Sequence, residues 1–298
     1  MRQAVLVVNP FATRVSEPTL ARVEAELGRA AELEVVQTRH PQHATELVAD
    51  ACRDGASTVI VYSGDGGFNE ALNGLAPGVP IAFLPGGGTS VLSRALGLPS
   101  DPVDAARRIA DALETGRTRR IALGRVNGRR FAFGAGLGLD AEAVRRVDEL
   151  GRRDDGKRPG DLAFALAIVR ALASHRGRLE PQLEIKGYGR AALVFVANCS
   201  PYTYAKGLPL PIAPEADFEL GLDLVAPIRV KRRALPRMVV DLLTGRVRDR
   251  GPYLYGHDLD RVEIVCDRPM PMHADGEDLG DVEEAVFEAE RASVEVFV

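Results

Sequence analysis

Cysteine is scarce: Cys52, Cys199 and Cys266 are the three in 298 residues, and they form no zinc or redox pattern. A metal-cluster protein and a dithiol redox enzyme are excluded, and reduced, buried thiols are the expected state. A basic excess is also missing. Lys and Arg number 38 against 42 Asp and Glu, a formal charge of −4, so no nucleic-acid partner is expected. No apolar run is long enough to cross a bilayer, since 162-LAFALAIV-169 is broken by Arg170. The opening MRQAVLVVNP is too short an apolar run for a secretion signal and no small-residue cleavage site follows it. The expectation is a cytoplasmic protein, at most peripheral to the inner face of the membrane.

Common catalytic signatures are absent as well. There is no HExxH, no GxSxG elbow and no kinase HRD triplet. The single G-x-x-x-x-G-K match, 151-GRRDDGKR-158, has Arg158 in place of the required Ser or Thr and no strand before it, so it reads as a surface loop. The run 134-GAGLG-138 lacks dinucleotide-binding spacing and reads as a strand-end turn.

What is present is ordinary for a soluble globular protein, 46% hydrophobic and 27% charged, with room for one large domain or two medium ones. Up to residue 126, strand-like runs at 4–8, 33–38, 58–63, 80–85 and 120–126 alternate with helical patterns near 17–31, 42–53, 68–75, 89–97 and 102–115. Near-continuous apolar strands with helical crossovers predict a doubly wound parallel sheet covered on both faces. Ligands of such α/β sheets sit at the carboxyl ends of the strands, where Asn9, Thr38, Asp65 and 86-GGGTS-90 fall. From 127 to 298 the strand candidates (130–135, 182–186, 191–198, 221–227, 261–266, 282–288 and 293–298) predict a mostly antiparallel domain, with inserted helices near 140–149, 161–175 and 232–243. The last strand is free to return to the first domain.

The stretch 61-VYSGDGGFNEALNGL-75 places one acid between glycines at a strand tip. Glycines let the backbone turn tightly and approach a ligand. A helix expected to begin near Phe68 would aim its N-terminal N–H groups and dipole at an anion such as a phosphate. An acid beside a phosphate is reconciled by a divalent cation, which points to a nucleotide triphosphate with Mg²⁺. A polar left-handed turn with a helix cap is the other reading. Asp275 and Glu277 in 273-HADGEDLG-280 are open in the same way. At strand spacing i and i+2 they face one site, one carboxylate holding Mg²⁺ while the other accepts a hydroxyl proton, whereas Asp-Gly is also a hairpin-turn signal.

The same stretch resembles the GGDGTxNEVxNGL signature of the diacylglycerol-kinase catalytic-domain family, which includes bacterial lipid kinases and sphingosine kinases. Further matches follow in order: 9-NPFA-12 with NPxSG, 38-TRHPQHATELV-48 with the second strand end, 85-PGGGTSVLSRALGLP-99 with PxGTxNDFARxLGLP, 134-GAGLGLDAEAV-144 with GxGxDAxV, and 273-HADGEDLG-280 with DGExxG. The resemblance implies an ATP-dependent kinase phosphorylating a hydroxyl of a lipid such as diacylglycerol. The nucleotide would sit on the α/β domain and the lipid headgroup in a cleft facing a β-sandwich domain. By carry-over, Asn9, Thr38, Gly64, Asp65, Gly66, Gly67, Asn69, Glu70, Gly88 and Thr89 border ATP. Asp65 and Asp275 contact Mg²⁺, and Glu277 is the base with Asp275 as its partner. A catalytically impaired nucleotide- or lipid-binding pseudokinase and an NAD kinase are the alternatives.

Departures from the pattern are specific. Gly67 replaces Thr, Ser90 and Val91 replace Asn-Asp, and Leu220 in 213-APEADFELGLDLV-225 replaces an Asp of the segment that resembles a structural-metal site. Three features lie outside the motifs. His40 and His43 read as a solvated helix start or as ligands, while His257 and His273 lie close to strand candidates, with His273 two residues before Asp275 as a candidate substrate contact. Eight cations between Arg229 and Arg250 against Asp241 and Asp249 are a solvated face or a contact with phosphate or an anionic membrane. Together with 161-DLAFALAIVRAL-172 they are the candidate peripheral membrane surface. A homodimer is among the assemblies the sequence allows.

Overall fold

The structure, a computed structural model, describes residues 2–149, 170, 177–205, 208–247 and 251–298. The loop at 151–158, the helix expected over 161–175 apart from Arg170, and the cations Arg248 and Arg250 lie outside the described residues. The chain divides into two compact units, Met1–Ala122 with Ala292–Val298, and Leu123–Arg291.

In the first unit β1 (Arg2–Val8), β2 (Ala31–Gln37), β3 (Thr58–Ser63) and β4 (Ile81–Pro85) form a parallel sheet in the order β2-β1-β3-β4. The C-terminal tail adds to it alongside β4, with Val296 opposite Ile81. Every residue of β3 and β4 is buried, which is why their sequences, TVIVYS and IAFLP, do not alternate: helices cover both faces. The crossovers are α1 (Glu17–Leu27), α2 (His43–Arg53), α3 (Asp65–Gly74), the short α4 (Val91–Ala95) and α5 (Pro102–Thr115). α5 shows how the sequence sets its ends. The Asp101 carboxylate accepts the N–H groups of Val103 and Asp104 at 2.9 and 3.1 Å, Pro102 occupies the first turn, and Gly116 closes the helix at φ 69°.

Strand order reverses between β1 and β3, because the chain passes to β2 on one side and returns to β3 on the other. The crevice at that switch point is where such sheets take ligands. Asn9, just past β1, donates its N–H to the Tyr62 carbonyl of β3 at 3.0 Å, so the two strand ends are fastened together there. α3 starts at Asp65 and not near Phe68. The Phe68 N–H closes the first turn on the Gly64 carbonyl at 3.1 Å, and fully buried Phe68, Ala71 and Leu72 anchor the helix, with Phe68 edge-on to Phe83 at 5.1 Å. That burial outweighs the ~1 kcal/mol each that Gly66 and Gly67 cost as helical residues.

β5 (Thr118–Val126) leads into the second unit. There follow β6 (Arg129–Phe131), β7 (Gly134–Leu137), α6 (Leu139–Glu149), β8 (Arg178–Leu179), β9 (Leu183–Ile185), β10 (Gly189–Ala191), β11 (Val194–Ala197), β12 (Thr203–Ala205), β13 (Leu208–Leu210), β14 (Leu222–Pro227), β15 (Val230–Lys231), α7 (Leu235–Leu243), β16 (Tyr253–Leu259), β17 (Arg261–Ala274) and β18 (Glu277–Phe297). The antiparallel order is β16-β14-β11-β7-β17-β18, with β9 also on β17. Alternate side chains feed two cores. Val194, Val196, Leu222 and Leu224 join Phe131, Ile264 and Phe287 on one face. Phe195, Ala197 and Val225 meet Met238, Leu235 and Leu242 of α7 on the other. The strands expected at 282–288 and 293–298 are one strand of 21 residues, since no Gly or Pro interrupts Asp281–Val298. The helix expected from 232 begins at Leu235, with Pro236 in its first turn.

Candidate active site

The two glycine stretches of the first unit meet as bare backbone. A Cβ on Gly87 would lie 2.9 Å from the Gly64 Cα, and one on Gly86 would lie 2.9 Å from the Ser63 carbonyl. The Gly86 N–H donates to that carbonyl at 2.7 Å. Gly88 is exposed with open space where a side chain would be, and Thr89 beside it is half-buried. Gly64 caps α3, and the first-turn N–H groups of a helix have no acceptor within the helix. A helix head beside a second glycine loop is a geometry that suits an anion.

Asp65 spans the two loops. Its carboxylate accepts the Leu92 N–H at 3.2 Å, at the head of α4. Val91, which stands where the resemblance has Asp, is buried, so the carboxylate at this point of the second loop comes from the first. Asn9 accepts the Phe11 N–H on Oδ1 at 3.0 Å, and Thr38, buried at the end of β2, donates its N–H to Val8. Two expected nucleotide neighbours face elsewhere. Asn69 is 0% exposed and accepts from the Asn73 side chain on its own helix. Glu70 points to α2, where Oε2 accepts the Ala44 N–H at 3.2 Å and its carbonyl accepts the Thr45 hydroxyl. Glu70, five residues on, lies about 140° round α3 from Asp65, whereas Asn69 at i+4 shares the Asp65 side of the helix but is buried.

Position 67 explains a residue that sequence reading missed. A Cβ there would fall 2.1 Å from the Ser63 Oγ and 2.8 Å from the Ser63 Cβ, with nothing else within 4 Å. The Ser63 hydroxyl thus fills the place of the missing side chain. It is buried and has no hydrogen-bond partner among the described residues. Against the GGDGT signature, SGDGG gains a side chain at the first position and loses one at the last; that paired exchange was the available signal.

In the second unit Asp275 and Gly276 form the tight turn between β17 and β18, at φ 49° and 76°. They are not strand residues, so the expectation that Asp275 and Glu277 face one site by strand spacing fails. Asp275 instead gathers three backbone N–H groups: Ala132 at 2.6 Å, Phe133 at 3.0 Å and Gly134 at 3.2 Å. It is 3% exposed, and it anchors the turn to the start of β7. Glu277 opens β18 and is half-buried, with Oε2 accepting from Arg129 Nη2 at 2.6 Å. Next to it Asp278 is forked by Arg145 at 2.8 and 3.1 Å. Burial works to raise the Asp278 carboxyl, but the Arg145 hydrogen bonds, the Gly280 N–H and the Arg145 charge together outweigh it and hold the group below its ordinary value.

Behind the turn lies a closed polar group. His273 Nε2 bonds Asp140 Oδ2 at 2.8 Å, and the Tyr202 hydroxyl donates to the same oxygen at 3.1 Å. Burial, then the Asp140 charge, pushes the Tyr202 phenol far above its ordinary value, so it remains a neutral donor. His273 is 4% exposed, which excludes direct substrate contact in this arrangement. His257 is likewise committed, to buried Asp223 at 2.8 Å, where the Asp258 N–H and the Tyr255 hydroxyl complete the shell. Near the segment that carries Leu220, protein donors occupy the Asp223 carboxylate. His40, His43 and Glu46 cluster at the start of α2, but the His43 Nδ1 accepts the Arg39 N–H at 3.0 Å. That bond puts the ring proton on Nε2 and leaves no lone pair there for a metal.

Mg²⁺ takes oxygen ligands and is commonly held by one or two carboxylates plus phosphate oxygens and water. Asp65 fits an ion carried mainly by a nucleotide's phosphates. Asp275 does not fit, because backbone N–H groups engage both of its oxygens.

Three outcomes are expected. Asp65→Ala should abolish nucleotide binding, measured by titration calorimetry, and lower stability by only about 1 kcal/mol for the lost cap; normal affinity for ATP would sink the assignment. Gly67→Thr alone should destabilise by about 1–3 kcal/mol through overpacking. Ser63→Gly together with Gly67→Thr should recover most of that in urea unfolding, and equal losses in the single and double variants would show that the two positions do not share one space. Asp275→Ala should cost about 3 kcal/mol or more, because three buried N–H groups lose their acceptor; an unchanged urea midpoint would refute the anchoring role.

Two family models match the chain. Residues 3–126 match the diacylglycerol kinase catalytic domain, and residues 135–298, more than half of the chain, match the YegS C-terminal NAD kinase beta sandwich-like domain. A protein of Bacillus subtilis named diacylglycerol kinase is 27% identical over 287 residues, covering 93% of this chain and 90% of that protein. The crystal structure of a diacylglycerol kinase from Bacillus anthracis superposes with a TM-score of 0.72 at 20% identity, covering 99% of this chain and 96% of the other. An NAD kinase from Archaeoglobus fulgidus, solved in complex with ATP, gives 0.55 at 15% identity, with 99% and 93% covered. At such identities the structures establish the fold alone, mixed α/β with a parallel-sheet domain followed by an antiparallel β-rich one. With ordered motifs from Asn9 to Glu277 and a family model over each part, the chain belongs to the diacylglycerol kinase catalytic-domain family of lipid kinases.

Proposed function

We propose that the protein transfers the γ-phosphoryl group of ATP to a hydroxyl of a membrane lipid, with diacylglycerol as the first acceptor to test. The observation that carries this reading is the close approach of two glycine loops at the head of α3, crossed by the Asp65 carboxylate. Phosphoryl transfer asks the protein mainly for positioning and for neutralisation of charge on the phosphates. The N–H groups at the head of α3 and of the second loop hold the phosphates. Asp65 holds the Mg²⁺ that shields them and, by its bond to Leu92, sets the spacing of the loops. Glu277 accepts the proton of the lipid hydroxyl, and the Arg129 ion pair fixes the rotamer of its side chain. Asp275 is a positioning residue, since the turn it anchors sets where Glu277 begins β18.

One observation favours a second reading. Gly67 carries no hydroxyl and Val91 is an apolar core residue, so a protein that binds nucleotide without transfer is the alternative. Mg²⁺-dependent transfer of labelled γ-phosphate from ATP to dispersed lipids separates the two, with wild type and Glu277→Gln side by side. Expected are a labelled lipid from wild type, and from Glu277→Gln unchanged ATP binding with turnover reduced at least a hundredfold. ATP binding without any labelled product would replace the kinase by the binding protein, and full turnover in Glu277→Gln would move the base to another group.

A further inference from the structure

Helix α7 is apolar on two opposite faces. Its inner face packs Met238, with Leu235 and Leu242, into the second core of the β-rich unit. Its outer face carries Pro236, Val239, Val240 and Leu243, at i, i+3, i+4 and i+7, all exposed. The last three are 48%, 52% and 45% accessible. A stripe at helical spacing is one continuous surface and not a scatter of single side chains. Nothing in the inner packing requires aliphatic residues there, because the helix is already anchored from the other side.

The charges around the stripe are of one sign. Lys231, Arg232 and Arg233 precede the helix and Arg246 follows it, all exposed, and none forms an ion pair with an acid among the described residues. Arg237 lies about 100° round the helix from Pro236, 3.9 Å from Asp241, its loose partner. Asp241 is the one acid from Arg229 to Val247, and it is 2% exposed. This cluster stands out against a chain whose formal charge is −4.

We propose that the outer face of α7 is a docking surface for an anionic lipid bilayer, with the stripe entering the headgroup–acyl boundary and the flanking cations meeting lipid phosphates. Charge complementarity selects an anionic partner, and the aliphatic stripe selects a bilayer over a polynucleotide, whose phosphodiester backbone gives Val240 and Leu243 nothing apolar to cover. The purpose of the contact, delivery of the enzyme to a lipid substrate, rests on the kinase reading; the evidence for the surface does not.

The test is co-sedimentation of the full chain with vesicles of phosphatidylglycerol and phosphatidylcholine, and with phosphatidylcholine alone, read without turnover. Wild type should bind the anionic vesicles and lose binding as salt is raised. Val240→Ser with Leu243→Ser should weaken binding at least tenfold, and Arg232→Ser with Arg233→Ser by roughly fivefold per cation. Circular dichroism spectra and melting curves should match wild type, because all four positions are exposed. No vesicle binding by wild type, or binding by both double variants equal to wild type, overturns the proposal. Loss of a dimer in sedimentation with vesicle binding unchanged assigns the face to a second copy instead. Turnover on detergent-dispersed lipid, measured alongside, reports on the kinase reading separately: wild type inactive there yet vesicle-bound would retire that reading and keep the surface.

Discussion

Contact between two stretches of backbone, at Gly64 and Gly87, is the constraint on which the first unit's site depends. A side chain at Gly87 would come within 2.9 Å of the Gly64 Cα and push the loops apart, and with them the Asp65 carboxylate from the Leu92 N–H. With the loops in contact, the heads of α3 and α4 are linked, the Asp65 carboxylate of one accepting the Leu92 N–H of the other. The remainder follows from burial. Phe68 and Leu72 hold α3 against the sheet, and Glu70 caps α2. Residues that the motif makes conspicuous therefore divide into those at the loop tips and those that hold the loops still.

The second unit uses one carboxylate in a comparable way. Asp275 is too deeply buried and too fully bonded to act on a substrate, yet the position of Glu277 depends on it. A left-handed turn residue costs strain of about 1–3 kcal/mol. Three charge-assisted hydrogen bonds offset it, which is why Asp and not Asn or Gly suits the place. The Arg129 ion pair then restricts the Glu277 side chain, so backbone and side chain are fixed by separate interactions.

Legibility in the sequence followed the strength of local physics. The parallel sheet was plain from four strands with helical crossovers, because full burial writes the unbroken runs of β3 and β4, but the fifth run, 120–126, is β5, which pairs with β6 and β18 instead. The glycine loops were plain for a similar reason, since few backbones need that many glycines. The direction of each polar side chain was not. Asn69 and Glu70 carry the motif, but Asn69 is buried and bonded to Asn73 while Glu70 turns to α2, and neither commitment has a local signal in the sequence. The shared orientation expected of Asp275 and Glu277 failed because strand geometry was assumed across a turn whose φ values are positive. Arg129 has no local signature at all, for its partner lies 148 residues away. The short strands β8, β10, β12, β13 and β15 are two or three residues each, below the length at which alternation is readable.

The departures from the family pattern also read differently as structure than as a list of losses. Gly67 looked like a missing hydroxyl, yet the Ser63 side chain stands in the space that a residue at 67 would fill. Val91 looked like a missing carboxylate, yet the adjacent N–H at Leu92 is taken by Asp65 from the other loop. The first is a substitution in space, since Ser63 fills the room beside position 67; the second is not, because Asp65 belongs to the signature itself. The Ser63 hydroxyl, at the end of β3, has no hydrogen-bond partner among the described residues. Packing at position 67 is thus restored while the group that restores it is left unpaired, so volume and not hydrogen bonding is what the exchange preserves.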